Sequence, residues 1–126
     1  MKRKTKKARL KLQLENIVKA YVKERDNHIC QWCGKRVTGS DEHWSHIVPR
    51  SKDGRLVYDP MNSVVHCFNC HINRWHKDPL EGAKWFMEKF PGRWVYLQEQ
   101  RKMNESKGPI TEAWLQDQIE LMENNG

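Results

Sequence analysis

Leu14, Ile17, Val18 and Tyr21 recur at i, i+3, i+4 and i+7, a one-sided pattern that predicts an amphipathic helix over about residues 8–25. RDNHIC ends it. Residues 43–48 then read as a short strand stopped by Pro49, and RSKDGRLVYDP as a polar loop turning at Asp53-Gly54. NSVVHC reads as a second short strand, and CFNC opens a helix running to about Trp75. DPLE at 78–81 is a helix start, with Asp78 as N-cap, Pro79 at N1 and Glu81 at N3. Ala83, Phe86, Met87 and Phe90 supply its apolar face, and Pro91-Gly92 ends it. A further helix is expected over about 93–104. KGP at 107–109 breaks the chain, and Thr111 caps a last helix in which Leu115, Ile119 and Met122 align. The expected fold class is α+β and mostly helical. Trp85, Trp94 and Trp114 fall on helix faces and are expected in the core.

Charge adds a polarity that the apolar pattern does not show. The 126 residues carry a net charge of +7, and the first eleven, MKRKTKKARLK, hold seven Lys or Arg and no acid. The remaining basic residues equal the 16 acidic ones in number, so the excess is a tail. A cluster of this kind suits phosphate backbones, where each neutralised phosphate releases counterions. A solvated end that only aids solubility is the plainer reading. No apolar run approaches the roughly 18–20 residues of a membrane span. No apolar stretch follows the basic N-terminus, as a secretory signal would require. An intracellular, cytoplasmic protein without membrane contact is expected. The domain division is a basic flexible tail over 1–11 and a single domain over 12–126.

Four cysteines form two matched knuckles, Cys30-x-x-Cys33 and Cys67-x-x-Cys70, with 33 residues between them. Two such knuckles let four thiolates close a tetrahedral Zn²⁺ site. Disulfides are disfavoured without a secretory signal, and a redox motif would need one C-x-x-C in a β–α context. Gly34 after the first knuckle permits the backbone to turn there. A structural Zn²⁺ would also supply folding energy that a small domain needs. Trp32 inside the first knuckle would shield the ion.

The chemistry-bearing residues then read, in order, Cys30, Cys33, His43, His46, Asn62, Cys67, Cys70, His71 and His76. The stretches HWSHIVPRS and DPMNSVVHCFNCH, interleaved with the four cysteines, resemble the HNH endonuclease family with its ββα-metal motif. The resemblance covers about residues 28–77 and leaves 78–126 as a C-terminal helical extension. It implies a ββα-metal core clamped by a four-cysteine zinc knuckle and flanked by N- and C-terminal helices. It implies a DNA endonuclease in which His46 is the general base, Asn62 holds the His46 imidazole, and His71 binds a catalytic divalent ion (Mg²⁺, Mn²⁺, Ni²⁺ or Zn²⁺). The implied products carry 5′-phosphate and 3′-hydroxyl ends. Two positions depart from the family pattern. Ser45 stands where a stronger ligand usually precedes the base, so His43, on the same strand face, is the candidate replacement. Trp75 stands where a second helix ligand usually falls, and histidine comes one later at His76. On a regular helix His76 would point away from His71, so it joins the same ion only if the helix ends or bends before Pro79.

Arg50, Lys52 and Arg55 beside the base, with Lys2, Arg3, Lys4, Lys6 and Lys7 of the tail, are the expected DNA contacts. Trp44 and Trp75, beside histidines, would wall the site. His28 and His66 are not assigned as ligands, and Asp41 and Glu42 read as loop acids. The competing function is a non-catalytic zinc-knuckle nucleic-acid-binding protein, which would need neither His46 nor Asn62. Small HNH proteins of this composition resemble those of phages. By that analogy a terminase is a candidate partner, and a monomer or weak dimer is expected.

Overall fold

The computed structural model describes residues 3–125. Helix α1 (Lys6–Arg25) starts where the Thr5 hydroxyl accepts a hydrogen bond from the Ala8 amide at 3.1 Å. Lys6, Lys7, Arg9 and Lys11 therefore project from a helix rather than from a flexible tail. The buried stripe steps by four through Leu10, Leu14, Val18 and Val22. That i+4 ridge packs against α4 and β2, and it turns Tyr21 out to solvent, where 46% of it is exposed. Two successive residues in the left-handed region, Asn27 and His28 (φ 55° each), swing the chain into the first knuckle.

Strands β1 (His43–His46) and β2 (Ser63–His66) form an antiparallel pair with His43 opposite His66 and His46 opposite Ser63. Four residues per strand make a hairpin too small to stand alone. Its two faces are buried in different clusters. Trp44 and Val65 pack with the α1 stripe and with Leu115 and Ile119 of α4 (Glu112–Asn125). Val64 packs with Val48, Leu56, Phe86 and Leu97, the last two from α2 (Pro79–Lys89) and α3 (Pro91–Glu105).

The edge of β2 away from β1 is also covered. The Val65 amide donates to the buried Asp26 carboxylate at 2.9 Å, and the Ser63 carbonyl accepts from Arg25 at 2.6 Å and from Arg93 at 2.8 Å.

The helix starts follow the expected capping. Asp78 accepts from the Glu81 amide at 3.1 Å, and Thr111 from the Trp114 amide at 3.0 Å. Met87, expected on the buried face of α2, is 43% exposed; Gly82 takes that role because it admits the Trp75 ring. The segment that starts within the second knuckle, Asn69–Trp75, is a π-helix rather than an α-helix.

Candidate active site and metal centre

The first knuckle is a tight turn. The Cys30 amide donates to Lys35 O at 2.8 Å, and Gly34 adopts φ +80° while its amide donates to Cys30 O at 2.9 Å. The second knuckle follows β2 directly, and its Cys70 amide donates to Cys67 Sγ at 3.4 Å. The four sulfurs all lie within 4.8 Å of one another, and Cys33 Sγ is 3.8 Å from Cys67 Sγ. Sulfurs bound tetrahedrally at the usual Zn–S length would be about 3.8 Å apart, so the donor set fits a structural metal ion. Burial raises the Cys70 thiol well above its ordinary pKa, and the neighbouring sulfurs add to this. Four thiolates could not gather here without a cation to offset them.

His71 follows Cys70 on the π-helix. An i→i+5 hydrogen bond from the His76 amide to His71 O (3.0 Å) widens the turn and stacks residues five apart on one side. His71 Nε2 and His76 Nε2 lie 3.0 Å apart in consequence. The expectation that His76 needs a bend is thus met by a change of helix type.

His43 sits on the other side of the same ring, its Nδ1 2.9 Å from His71 Nδ1. The orientation of these rings follows from one carbonyl. His43 Nε2 lies 3.0 Å from Ser40 O, an acceptor only, so that nitrogen carries the proton. For a neutral His43, Nδ1 then accepts from His71 Nδ1, and the His71 Nε2 lone pair faces His76 Nε2 at hydrogen-bond distance. The three histidines do not converge on one point. Among the described residues, the four cysteines are the only group of three or more candidate ligands that does. Burial, and then His76 and His43, press the His71 pKa down to about 4, so the ring is neutral.

His46 is held differently. Its Nε2 lies 3.2 Å from Val57 O and must donate, which leaves Nδ1 as the basic atom. Trp44 stands edge-on to it with ring centres 4.3 Å apart. Asn62 is fully buried, and its side-chain hydrogen bonds go elsewhere than to the imidazole. Its Oδ1 accepts from the Val48 amide at 2.8 Å, and its Nδ2 donates to Val48 O at 3.0 Å and Leu56 O at 2.9 Å. It ties the two ends of the 48–56 loop together and so fixes the neighbouring Val57 carbonyl that orients His46. His46, His71 and His76 line one cleft of about 550 Å³, together with Arg50, Lys52, Trp44 and Trp75. His43 is not part of its wall.

Residues 30–77 match a family model described as HNH endonuclease. Over that stretch the chain is similar to the HNH endonuclease family. No curated protein and no solved structure matches the chain. The match spans both knuckles, the hairpin and the π-helix, and leaves α1 and α2–α4 outside it.

The expected DNA contacts are scattered around the matched segment. Arg50 is exposed at the cleft and paired with Glu15 at 2.8 Å. Lys52 is exposed at the same cleft. Arg55 instead donates to Gly108 O at 2.8 Å and lies over the Trp114 ring, so it braces the fold. Arg3 and Lys4 are exposed ahead of α1, and Lys2 lies outside the described residues. Of the loop acids, Glu42 pairs with His28 at 2.7 Å, while Asp41 binds Lys35 at 2.9 Å and accepts from the Phe68 amide at 2.8 Å.

Sequence alone leaves His66 between solvent and hairpin core; it is fully buried, boxed by Trp32, Trp75 and Trp85, with both ring nitrogens unpartnered. Nothing in the spacing singles out Gly82, although a Cβ there would lie 2.7 Å from Trp75 Cζ3. The period-2 register places His66 opposite His43 and so against the π-helix, a signal readable once the hairpin is paired.

Proposed function

We propose that this HNH domain is a metal-dependent DNA endonuclease, with His46 as general base and a divalent ion held by His71 and His76. The observation that carries the reading is that these three histidines share one cleft, with the Nε2 atoms of His71 and His76 3.0 Å apart and a basic Nδ1 on His46. Two nitrogens bound at right angles to one ion at the usual metal–nitrogen length would be about 3.0 Å apart, so the His71–His76 pair fits. His43 then orients His71 from behind rather than ligating, as partners of metal-bound histidines commonly do. The ion, when bound, stabilises negative charge on the pentacoordinate phosphorus and the leaving 3′-oxygen. His46 Nδ1 takes a proton from water, the water oxygen forms a bond to phosphorus as the bond to the 3′-oxygen breaks, and the departing 3′-oxygen takes a proton from solvent water. That leaves 5′-phosphate and 3′-hydroxyl ends. Asn62 keeps the Val57 carbonyl in place so that Nε2 stays protonated and Nδ1 stays basic. The four-cysteine cluster would hold the structural zinc.

Plasmid nicking tests this reading. Supercoiled DNA with Mg²⁺, Mn²⁺ or Ni²⁺ should be relaxed or linearised, and His46→Ala should lower the rate by about 10²-fold or more while the protein stays folded. DNA left intact by wild-type protein that still binds it would favour the non-catalytic zinc-knuckle binder instead.

A further inference from the structure

A second cavity, of about 450 Å³, adjoins the catalytic cleft between the first turns of α1, the 52–55 loop and the C-terminal end of α3. Lys7, Lys11, Lys52 and Arg101 line it. Lys52 and Arg101 line the catalytic cleft as well, so the two cavities share a basic wall. Lys7 and Lys11 are one helical turn apart and half-buried, on a face of α1 adjacent to its core stripe. Among the described residues, none of the four cations has an ion-pair partner. That contrasts with Arg50, which Glu15 already engages.

Two acids, Asp53 and Glu105, also line the cavity. Asp53 is occupied internally: its Oδ1 accepts from the Arg55 and Leu56 amides at 3.0 and 3.2 Å, and its Oδ2 from Asn104 at 3.0 Å. Glu105 is exposed on the rim. The balance is five lining cations, Arg55 among them but bonded to Gly108 O, against two carboxylates, one of them already satisfied.

We propose that this second cavity binds the phosphodiester backbone of the DNA strand that lies in the catalytic cleft, with Lys7, Lys11 and Arg101 as phosphate contacts. The inference rests on the nuclease reading for what occupies the cleft, and on charge and continuity for where that strand goes next. It turns the basic N-terminal segment from a diffuse attractor into one wall of a defined groove. It also brings in Arg101, from a helix outside the matched HNH segment. Arg55 is the strut of the groove, since its bond to Gly108 O holds the 108–110 segment against the 52–55 loop.

The test measures binding of a labelled DNA duplex over a series of salt concentrations, without added divalent ion and in the full-length His46→Ala protein, so that cleavage plays no part. Lys11→Glu and Arg101→Glu should each weaken binding by about tenfold or more and lower the salt slope by about one. Lys11→Gln should do the same more weakly. Lys102→Glu, on the exposed side of α3, is the control and should change affinity less than twofold. Unchanged affinity and slope in Lys11→Glu and Arg101→Glu, with thermal unfolding as in the parent, would overturn the proposal. So would inorganic phosphate binding that Lys11→Glu abolishes while duplex affinity stays intact, because the cavity would then be a free-anion site. Neither result bears on the nuclease reading, which fails only if wild-type protein cuts nothing. A protein that binds with the expected slopes but never cuts would retain this groove and lose that reading.

Discussion

For the proposed role of His46 as general base, the decisive property is that burial favours the neutral ring. Burial lowers its pKa from 6.5, and the Arg50 charge pushes the same way; the Val57 carbonyl and Glu15 oppose them, with the net shift downward. A base works only when unprotonated, so a lowered pKa extends activity to more acidic pH. The acidic limb of the single-turnover cleavage rate should therefore fall below pH 6.5. Arg50→Gln removes a depressing charge and frees Glu15, so the limb should move up; Glu15→Gln should move it down. A wild-type limb at or above 6.5, or shifts of the opposite sign, would contradict the burial argument. Much at this scale is legible in the sequence. The order of His46, Asn62 and His71 names the residues that the fold brings to one hairpin and one helix. Their contacts are not legible. That Asn62 grips the loop instead of the imidazole depends on backbone carbonyls, and that His43 backs His71 depends on Ser40 O, neither of which residue spacing encodes.

Among the elements, the π-helix matters most. The apolar pattern marks α1–α4 and both strands, with ends off by a few residues, but RSKDGRLVYDP is not the polar loop expected: Leu56–Tyr58 forms a short 3-10 turn whose three side chains are buried. The pattern misses the helix type at Asn69–Trp75, because periodicity over seven residues cannot separate an α-turn from a π-turn. Trp75 explains what the wide turn accommodates. Its ring lies on Gly82 of α2 and is boxed on its other sides by Trp32, Trp85 and His66. Two effects oppose each other at Gly82→Ala. Helix propensity favours alanine by about 1 kcal/mol. Overlap of the new Cβ with a ring that cannot retreat costs about 1–3 kcal/mol. Overlap should win, because the Cβ would meet two ring carbons well inside contact distance. The variant should unfold a few degrees below wild type and bind Mn²⁺ more weakly at the cleft, as Trp75 pushes the π-turn out of register. A melting temperature at or above wild type would mean that the ring can move and that the turn does not depend on the glycine.

Across the whole molecule, the four-cysteine cluster joins parts that the small hairpin could not hold together. Cys30, Cys67 and Cys70 are buried in the same core as Leu14, Val18, Leu115 and Ile119, so the metal site is continuous with the α1–α4 packing. The second knuckle also runs straight into His71, and the first leads into β1 with His43 and His46. A structural ion that draws the knuckles together therefore sets the spacing of the cleft residues. Removing it should act at two levels. Zinc depletion with a strong chelator, or Cys30→Ser, should lower the unfolding temperature sharply and red-shift the fluorescence of the Trp32, Trp75 and Trp85 box, because the clustered thiols lose their shared counter-charge. Added Mn²⁺ should then fail to bind at the cleft, although no cleft residue has changed. Metal analysis, thermal unfolding and Mn²⁺ titration on the same sample separate the possibilities. Protein shown to be zinc-free that melts as before would remove the structural role. Protein that melts lower yet still binds Mn²⁺ at the cleft would show that α1, α2 and α3 hold His71 and His76 in place without the knuckles.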